Sequence, residues 1–481
     1  MNIDAHYAEG MRETVERELK LTPGDGFVMP ALGEPLPTRV FVSTYHDTTD
    51  LRLARHGITF RHRLEDGAGL WQLKLPHGAH RIELEQSGPP ARPPREMTAL
   101  LVAHLQSRDL VRVARLRTRR EGVRASGAEI VEDNVSVLDG VRVVGRFREL
   151  EVEVLDGDDR TLQRLEKELR RAGAASKPLR PKLFRALDIA DTAQPITVPK
   201  GAAPREALAL ALAEQLRRTL VHDPGTRLGA DPEDLHQLRV ATRRARAFLR
   251  VARPLVDRDW AEALRAQLAW LGSSLGPARD ADVQLNLFRS EIEALGGDGA
   301  AASGLLSQLE ERRAETRVAA VRAMCDRRYF ELLAALEAIE PGAVPPGRDE
   351  GTLASVWAAE LRRTRRAAAE LGDDPPDTEL HAFRINVKRL RYATELASHE
   401  LGRSKAGRVV DAAKTVQDVL GDHQDAVVAE EHVEVWLASE PAASPIAGRL
   451  VESARRRRAE ARAAWRGAWK RLERQAQTIE R

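Results

Sequence analysis

The stretch that decides the architecture of the second half of this chain is HQLRVATRRAR, residues 236–246, which returns as HAFRINVKRLR at residues 381–391. Four positions recur at an offset of 145 residues: His236 with His381, Arg239 with Arg384, Arg243 with Lys388, and Arg246 with Arg391. Two further pairs keep the same offset, Leu275-Gly276 with Leu420-Gly421 and Asp280-Ala281 with Asp425-Ala426. This unbroken register indicates a duplicated helical unit.

The basic residues of each copy predict a stripe along one helix face. At about 100° per residue, His236 and the arginines that follow it fall within an arc of about 80°, opposite Leu238 and Leu249. Neighbouring like charges on a helix repel by a few tenths of a kcal/mol per pair. The stripe therefore needs acidic partners or a bound polyanion, and a solvated amphipathic face remains the alternative for either helix taken alone.

The overall composition restricts the choice of polyanion. Lys and Arg number 76 against 73 Asp and Glu, so the net charge is only +3 and anion binding must come from local clustering. No aromatic residues interleave the stripe to stack bases, which disfavours nucleic acid. A linear polyanion with charge along its length suits two equivalent stripes better.

Bulk features indicate a multidomain cytoplasmic protein. The 481 residues suggest two to four domains at about 100–200 residues each, and 42% hydrophobic residues allow a sizeable core. The lone cysteine, Cys325, fits a reducing compartment. The first residues lack the apolar region of a secretion signal, and no run of 18 apolar residues predicts a membrane span.

Residues 1–187 alternate with period two, which predicts strands with two unlike faces. The clearest runs are residues 15–21, 71–75, 81–85 and 149–154. Same-sign charges recur on single faces, acidic in some strands and basic in others. A closed sheet explains these rows, because they then face a polar lumen in which acids hold a divalent metal and bases hold phosphate.

The same half resembles the CYTH family, also called triphosphate tunnel metalloenzymes. The resemblance covers about residues 11–187 and rests on these motifs: ERELK (16–20), YHDTTDL (45–51), FRHR (60–63), WQLK (71–74), RIE (81–83), RTR (117–119), ELEVE (149–153) and PKLFRAL (181–187), with Pro181 where the family has serine. It implies an α+β fold, an eight-stranded antiparallel tunnel with flanking helices, that binds triphosphate with Mg²⁺ or Mn²⁺.

The resemblance also implies site residues. The implied metal ligands are Glu16, Glu18, Glu151 and Glu153. The implied phosphate-holding and catalytic residues are Lys20, Arg61, Arg63, Lys74, Arg117, Arg119 and Lys182, together with Glu16 and Glu18. Weaker candidates are Glu83, Glu85, Asp133 and Glu149.

The helical half resembles the CHAD family over about residues 204–475, through the duplicated H-x-x-R-x-x-x-(R/K)-x-x-R motif and the L-G-x-x-x-D that follows each copy. The resemblance implies an all-α domain of two pseudo-symmetric helical bundles that binds inorganic polyphosphate. The implied ligands are His236, Arg239, Arg243, Arg246, His381, Arg384, Lys388 and Arg391. Asp280 and Asp425 either orient basic side chains or cap helices.

Together these observations predict a tunnel domain at residues 1–187, a linker at 188–204 and a helical domain at 205–481. The expected activity is metal-dependent hydrolysis of inorganic triphosphate to pyrophosphate and phosphate, coupled to polyphosphate binding, in a cytoplasmic protein associated with polyphosphate granules. The open alternatives are a non-catalytic polyphosphate-binding protein, a nucleoside or thiamine triphosphatase, and an adenylate cyclase.

Overall fold

The computed structural model describes residues 11–77, 80–155, 159–175, 180–189, 195–294, 302–348, 350–439 and 444–481. The chain divides into two compact units, Met1–Gln194 and Pro195–Arg481, here called the strand unit and the helical unit. The boundary falls inside the predicted linker, of which residues 190–194 lie outside the described part. None of the described helices is both long and apolar enough to cross a membrane.

The strand unit is an antiparallel sheet with short flanking helices. Its strands are β1 (Arg12–Glu16), β2 (Glu18–Pro23), β3 (Glu34–Pro35), β4 (Arg39–Asp47), β5 (Thr59–Glu65), β6 (Ala68–His77), β7 (His80–Ser87), β8 (Val111–Ala125), β9 (Ala128–Asp139), β10 (Arg142–Val154) and β11 (Ala174–Ala175). Its helices are α1 (Arg52–Arg55), α2 (Arg95–Ala99), α3 (Val102–Leu105), α4 (Asp159–Arg171) and α5 (Lys182–Leu187).

The sheet closes through its first two strands. They are consecutive apart from Arg17, yet β1 pairs with β7 while β2 pairs with β10. The remaining order is β7-β6-β5-β4-β8-β9-β10, so the first strand segment joins the two ends of this path. Counting β1 and β2 as one, eight strands form the wall, as predicted; β3 and β11 are two-residue additions.

Alternation along β10 separates apolar residues that pack outward from charged residues that border a polar lumen. Leu150 and Val152 pack outward with Leu165 and Leu169 of α4, whereas Glu151, which lies between them in sequence, borders the lumen. Helix α5 is short and packs its Leu183 and Phe184 against Tyr45, Leu116 and Val135 of the sheet. Because Lys182 and Leu183 also border the lumen, α5 brings a lysine to the centre of the polar region.

The helical unit contains ten helices among the described residues. They are α6 (Pro204–Leu228), α7 (Pro232–Ala252), α8 (Arg258–Ala294), α9 (Ser303–Met324), α10 (Arg327–Glu337), α11 (Leu353–Glu370), α12 (Asp377–Leu396), α13 (Ser398–Leu401), α14 (Arg403–Ser439) and α15 (Ser444–Glu480).

The predicted duplication appears in the helix boundaries. Helices α8 and α14 are both 37 residues long, and each begins and ends 145 residues from the other. Helix α7 packs between α6 and α8, as α12 does between α11 and α14. Helices α7 and α12 also contact each other, with the Phe248 and Tyr392 ring centroids 6.3 Å apart. The two basic helices therefore meet at the junction of the two copies.

Candidate functional sites

A polar cavity of about 160 Å³ lies inside the closed sheet. Its cationic lining residues are Lys20, Arg39, Arg61, Arg63, Lys74, Arg81, Arg120 and Lys182. Its carboxylates are Glu18, Glu83, Glu85, Glu129, Glu151 and Glu153. The described lining of this central cavity thus combines eight cations, which can bind an anionic ligand, with six carboxylates, which can bind a metal ion.

The predicted first strand supplies an acid and a base to this cavity. Lys20 Nζ lies 2.9 Å from a carboxylate oxygen of Glu151 and 3.1 Å from one of Glu18. Burial opposes the charge of Lys20, but Glu151 and Glu18 outweigh burial and raise its pKa well above the ordinary value. Lys20 therefore stays protonated at neutral pH. The backbone of Glu16 lies in β1 opposite Arg81, and its side chain is outside the described part of the structure.

The predicted Lys182 is enclosed by three carboxylates. Its Nζ lies 2.8 Å from Asp133, 2.7 Å from Glu149 and 2.8 Å from Glu151. Despite burial, these three carboxylates raise the pKa of Lys182. Burial raises the pKa of Glu149, whereas Lys182 and Lys20 overcome burial and lower that of Glu151.

Two arginines complete this charge network. Arg120 donates to Asp133 at 2.8 and 2.7 Å and to Glu151 at 2.6 Å. Arg185 of α5 donates to Glu149 at 3.0 Å. Sequence reasoning missed Arg120, which adjoins the RTR motif, and it ranked Asp133 and Glu149 low: Asp133 lies outside the motifs, and Glu149 begins the ELEVE motif but was not among the implied metal ligands.

Two sets of carboxylates could hold a divalent cation. Oxygen atoms of Asp133, Glu149 and Glu151 lie within 4.8 Å of one another, but the ammonium of Lys182 contacts all three. A metal ion there would have to displace that ammonium. Glu18 and Glu153 instead lie directly opposite each other on β2 and β10, and both border the cavity. Glu18 also contacts Lys20, but carboxylate oxygens are hard ligands that suit a divalent cation, and a cation held at this pair would not displace Lys182.

The opposite wall carries the other predicted cations. Arg61 donates to Gln72 at 2.8 Å and to the Tyr45 hydroxyl at 3.1 Å. Arg63 contacts Glu65 at 2.5 Å, while burial and the neighbouring Arg61 lower its pKa to about 10. Lys74 Nζ is 3.5 Å from Glu83. These cations face the cavity from β5 and β6, where they could bind phosphate oxygens.

The structure does not bring Arg117 and Arg119 to the central cavity, contrary to the sequence-based expectation. Both are exposed and border a separate outer surface with Arg146 and Arg148. The reason is that alternate side chains of a strand point to opposite faces. Thr118, between the two arginines, is buried on the inner side, and the next inward residue, Arg120, enters the cavity. A one-residue change of register moves every side chain to the other face. In the arginine-rich run at residues 115–120, charge alone cannot reveal the inner face.

In the helical unit, Arg239 is fixed against α8. Its guanidinium donates to the carbonyl oxygens of Gly276 at 2.5 Å and Leu275 at 3.3 Å, and lies 3.4 Å from Asp280. In the second copy, Arg384 is held less closely against α14: it donates to the carbonyl oxygen of Gln417 at 3.3 Å. A Cβ at Gly421 would lie 3.1 Å from the Arg384 guanidinium. Gly421 thus leaves room for Arg384 beside α14, whereas a Cβ at Gly276 would lie 3.7 Å from Arg239, an ordinary contact.

Asp280 and Asp425 lie inside α8 and α14, so they orient or balance charge rather than cap a helix. Asp280 does so through Arg239, and the charge of Asp425 acts on Arg384 and Lys388.

The two stripes meet around Arg243. Its Nε donates to the Tyr392 hydroxyl at 3.0 Å, one residue beyond the second motif. Burial, followed by the charges of Arg384, Arg243 and Arg391, lowers the pKa of Lys388 to about 8. Cations from both copies therefore share one electrostatic environment, which is the expected condition for a common polyanion site.

The remaining predicted residues differ between copies. His236 is partly buried, and burial with the charge of Arg279 lowers its pKa. His381 is exposed, and its Nδ1 lies 3.1 Å from Gln424. Arg246 is exposed on the α7 stripe, whereas Arg391 stacks over the Tyr392 ring at 4.7 Å.

Two family profiles match this chain, one in the strand unit and one in the helical unit. The family profile of the CYTH domain matches residues 15–179, and that of the CHAD domain matches residues 210–434. The uncharacterized proteins MT2285 and Rv2226 of two Mycobacterium tuberculosis strains are each 31% identical over 438 residues, 83% of this chain and 83% of the relative. The chain therefore belongs to the family of proteins in which a CYTH domain is followed by a CHAD domain.

Two solved structures are also similar to part of this chain. The CHAD domain from the plant Ricinus communis is 25% identical, with a TM-score of 0.47, covering 58% of this chain and 95% of that chain. PptA from Streptomyces chartreusis is 24% identical, with a TM-score of 0.46, covering 57% of this chain and all (100%) of PptA.

Proposed function

We propose that this CYTH–CHAD protein hydrolyses inorganic triphosphate to pyrophosphate and phosphate in its strand unit and binds inorganic polyphosphate in its helical unit. The observation that carries the first part is the Glu18–Glu153 pair beside a cation-lined cavity. A cavity built only to bind an anion gains nothing from opposed carboxylates, whereas a metal-dependent phosphate site needs them.

The residues divide by chemistry. Glu18 and Glu153, with Glu151 and the expected Glu16, would hold Mg²⁺ or Mn²⁺, which when bound neutralises phosphate charge and polarises the reacting phosphorus. Arg61, Arg63 and Lys74 would bind phosphate oxygens from the opposite wall, with Lys20 and Arg120 on the acidic side. Lys182 keeps Asp133, Glu149 and Glu151 in fixed positions.

The reaction requires few groups from the protein. The oxygen of a water molecule forms a bond to a terminal phosphorus, and the bond from that phosphorus to the bridging oxygen breaks, releasing pyrophosphate. Because paired strands pre-position the arginine and lysine side chains, these cations stabilise the negative charge that develops on the leaving oxygen without rearranging, while the carboxylates would hold the metal.

Phosphate release from inorganic triphosphate, with and without Mg²⁺ or Mn²⁺, tests this part. The Glu16→Gln, Glu18→Gln double variant should lose activity, and Glu132→Gln is the matched control because Glu132 pairs with Arg148 outside the cavity. Full activity in the double variant would overturn the metal-binding role.

The polyphosphate part rests on the convergence of Arg243 with Arg384 and Lys388. Changing Arg239, Arg243, Arg384 and Lys388 to Glu should abolish polyphosphate binding and leave triphosphate hydrolysis nearly intact. Such binding would also retain the protein at polyphosphate granules. If a folded quadruple variant loses both activities, the two sites are not independent.

A further inference from the structure

One row of side chains crosses four neighbouring strands of the cavity wall. Tyr45 on β4 lies directly opposite Arg61 on β5, and Arg61 lies opposite Gln72 on β6. Gln72 in turn lies opposite Glu85 on β7. All four residues border the central cavity, and directly opposed residues of antiparallel strands are close enough for their side chains to interact. We call these four residues the Arg61 row.

Hydrogen bonds connect the whole row. The Arg61 guanidinium donates from Nε to Gln72 Oε1 at 2.8 Å and from Nη1 to the Tyr45 hydroxyl at 3.1 Å. Gln72 Nε2 donates to Glu85 Oε1 at 2.6 Å. An arginine side chain can only donate and an ionised carboxylate can only accept, whereas an amide does both. The amide of Gln72 can therefore join Arg61 to Glu85, which neither a leucine nor a second carboxylate could do.

The hydrogen-bond acceptors of the Arg61 side chain in the described structure are uncharged. The other two cations of this wall contact carboxylates directly: Lys74 Nζ lies 3.5 Å from Glu83, and Arg63 contacts Glu65 at 2.5 Å. A carboxylate held against a guanidinium cancels much of its charge. A neutral amide instead fixes the direction of the guanidinium and leaves its charge for a ligand.

The side chain of Gln72 is placed to act through Arg61 rather than on a ligand. Gln72 is only 3% exposed, and its oxygen and nitrogen are both engaged within the row. Arg61 is partly exposed, and its Nη2 is not used within the row. A bound anion therefore meets Arg61, in the direction that Gln72 and Tyr45 set.

We propose that Gln72 is a positioning residue of the triphosphate site, which holds the Arg61 guanidinium in one direction without neutralising it. This inference rests on the proposed function of the strand unit, because it takes triphosphate as the anion that Arg61 binds. Donors that are fixed in advance stabilise negative charge without having to rearrange. A side chain that fixes such a donor therefore contributes to the site without contacting the ligand.

Gln72→Leu removes the acceptor of Arg61 Nε and the donor to Glu85. It should lower kcat/KM for inorganic triphosphate about tenfold or more, the effect of about one lost charge-assisted hydrogen bond. The matched control is Gln86→Leu, since Gln86 belongs to β7 but lies outside the cavity lining. This control should change kcat/KM less than about twofold.

Gln72→Glu separates the orientation of Arg61 from its charge. The new carboxylate keeps an acceptor for Arg61 Nε, but it neutralises the guanidinium and cannot donate to Glu85. Gln72→Glu should therefore weaken triphosphate binding at least as much as Gln72→Leu, although its shape is nearly that of the natural side chain. Binding as tight as in the natural protein would overturn the requirement for a neutral acceptor.

A double-mutant cycle with Arg61→Gln distinguishes positioning from support of the fold. If Gln72 acts through Arg61, Gln72→Leu should change kcat/KM less than about twofold once Arg61 has been replaced. If the two losses multiply in variants that melt at the temperature of the natural protein, Gln72 acts independently of Arg61 and the proposal fails.

The same cycle separates this proposal from the proposed hydrolysis. If the natural protein binds triphosphate in Mg²⁺ without releasing phosphate, the cycle is measured on the calorimetric Kd, and coupling there upholds positioning while hydrolysis fails. Turnover with an uncoupled cycle upholds hydrolysis and overturns positioning. No binding of triphosphate by the natural protein would overturn both.

Discussion

Glu18 on β2 and Glu153 on β10 lie directly opposite each other across paired strands, and both border the central cavity. The neighbouring pair along the same strands is Lys20 with Glu151, whose charges attract at 2.9 Å. Glu18 also contacts Lys20, at 3.1 Å. We propose the Glu18–Glu153 pair as the metal position because, unlike the triad of Asp133, Glu149 and Glu151, it does not surround the ammonium of Lys182.

Glu153→Gln should remove most of the stabilisation that Mg²⁺ or Mn²⁺ gives to the protein. Losing a ligand should weaken metal affinity by at least about 10- to 100-fold, the range seen even for residues that only support ligands. Thermal melting with and without metal measures this effect. Equal metal-induced shifts in Glu153→Gln and in the control Glu132→Gln would contradict the assignment.

Arg120→Gln should reduce triphosphate hydrolysis far more than Arg119→Gln. Arg120 enters the cavity and holds Asp133 and Glu151, whereas Arg119 is exposed on the outer face. Loss of one preorganised charge at a reacting site commonly costs about 100-fold in rate. Initial rates at saturating substrate provide the comparison. A greater loss from Arg119→Gln would contradict the assignment of Arg120 to the inner face of β8 and Arg119 to the outer face.

Lys182→Met should destabilise the strand unit by about 3–5 kcal/mol, because three buried carboxylates lose the ammonium between them. Without that ammonium the carboxylate pKa values rise, so protonation should make the loss smaller at about pH 5 than at about pH 8. Divalent metal should also restore stability, since the three carboxylates could then ligate it. Denaturant unfolding at both pH values tests this, and a loss that grows toward acid pH would contradict it.

Polyphosphate affinity should fall as pH rises through about 8, the pKa of Lys388. Above that pH the lysine is neutral in the free protein, and binding must recruit a proton. In the ligand-free protein the depressed pKa has the opposite consequence: stability falls as pH drops from the ordinary value of 10.5 toward about 8, and a bound polyanion restores it.

Lys388→Arg is the control for this pH effect, since guanidinium keeps its charge. Wild-type affinity should drop about threefold to tenfold between about pH 7 and about pH 9.5, whereas the affinity of Lys388→Arg should stay nearly constant. Parallel curves for the two proteins would exclude Lys388 as the titrating group.

Periodicity predicted most of the fold, because the alternation along strands and the 145-residue offset can both be recognised from the types of the residues alone. The closed sheet and the pairing of helix α8 with α14 follow those patterns, whereas the number of strands was implied by the resemblance to the CYTH family. The lumen contacts of Glu18, Lys20, Arg61 and Lys182 agree with the residues that the motifs selected. Where adjacent residues of a strand differ in chemistry, the sequence predicts which of them face the lumen.

The rest depended on information that local patterns lack. In RLRTRRE, residues 115–121, arginines stand at both parities, so only the burial of Leu116 and Thr118 identifies Arg120 as inward.

The most direct test of the central claim is ³¹P NMR of inorganic triphosphate incubated with the full chain and Mg²⁺ or Mn²⁺. We expect pyrophosphate and phosphate in equal amounts, loss of both products on chelation of the metal, and unchanged turnover when Arg239, Arg243, Arg384 and Lys388 of the helical unit are changed to Glu. No turnover of triphosphate, thiamine triphosphate or nucleotides by a protein that still binds polyphosphate tightly would contradict it and leave a binding protein without catalysis.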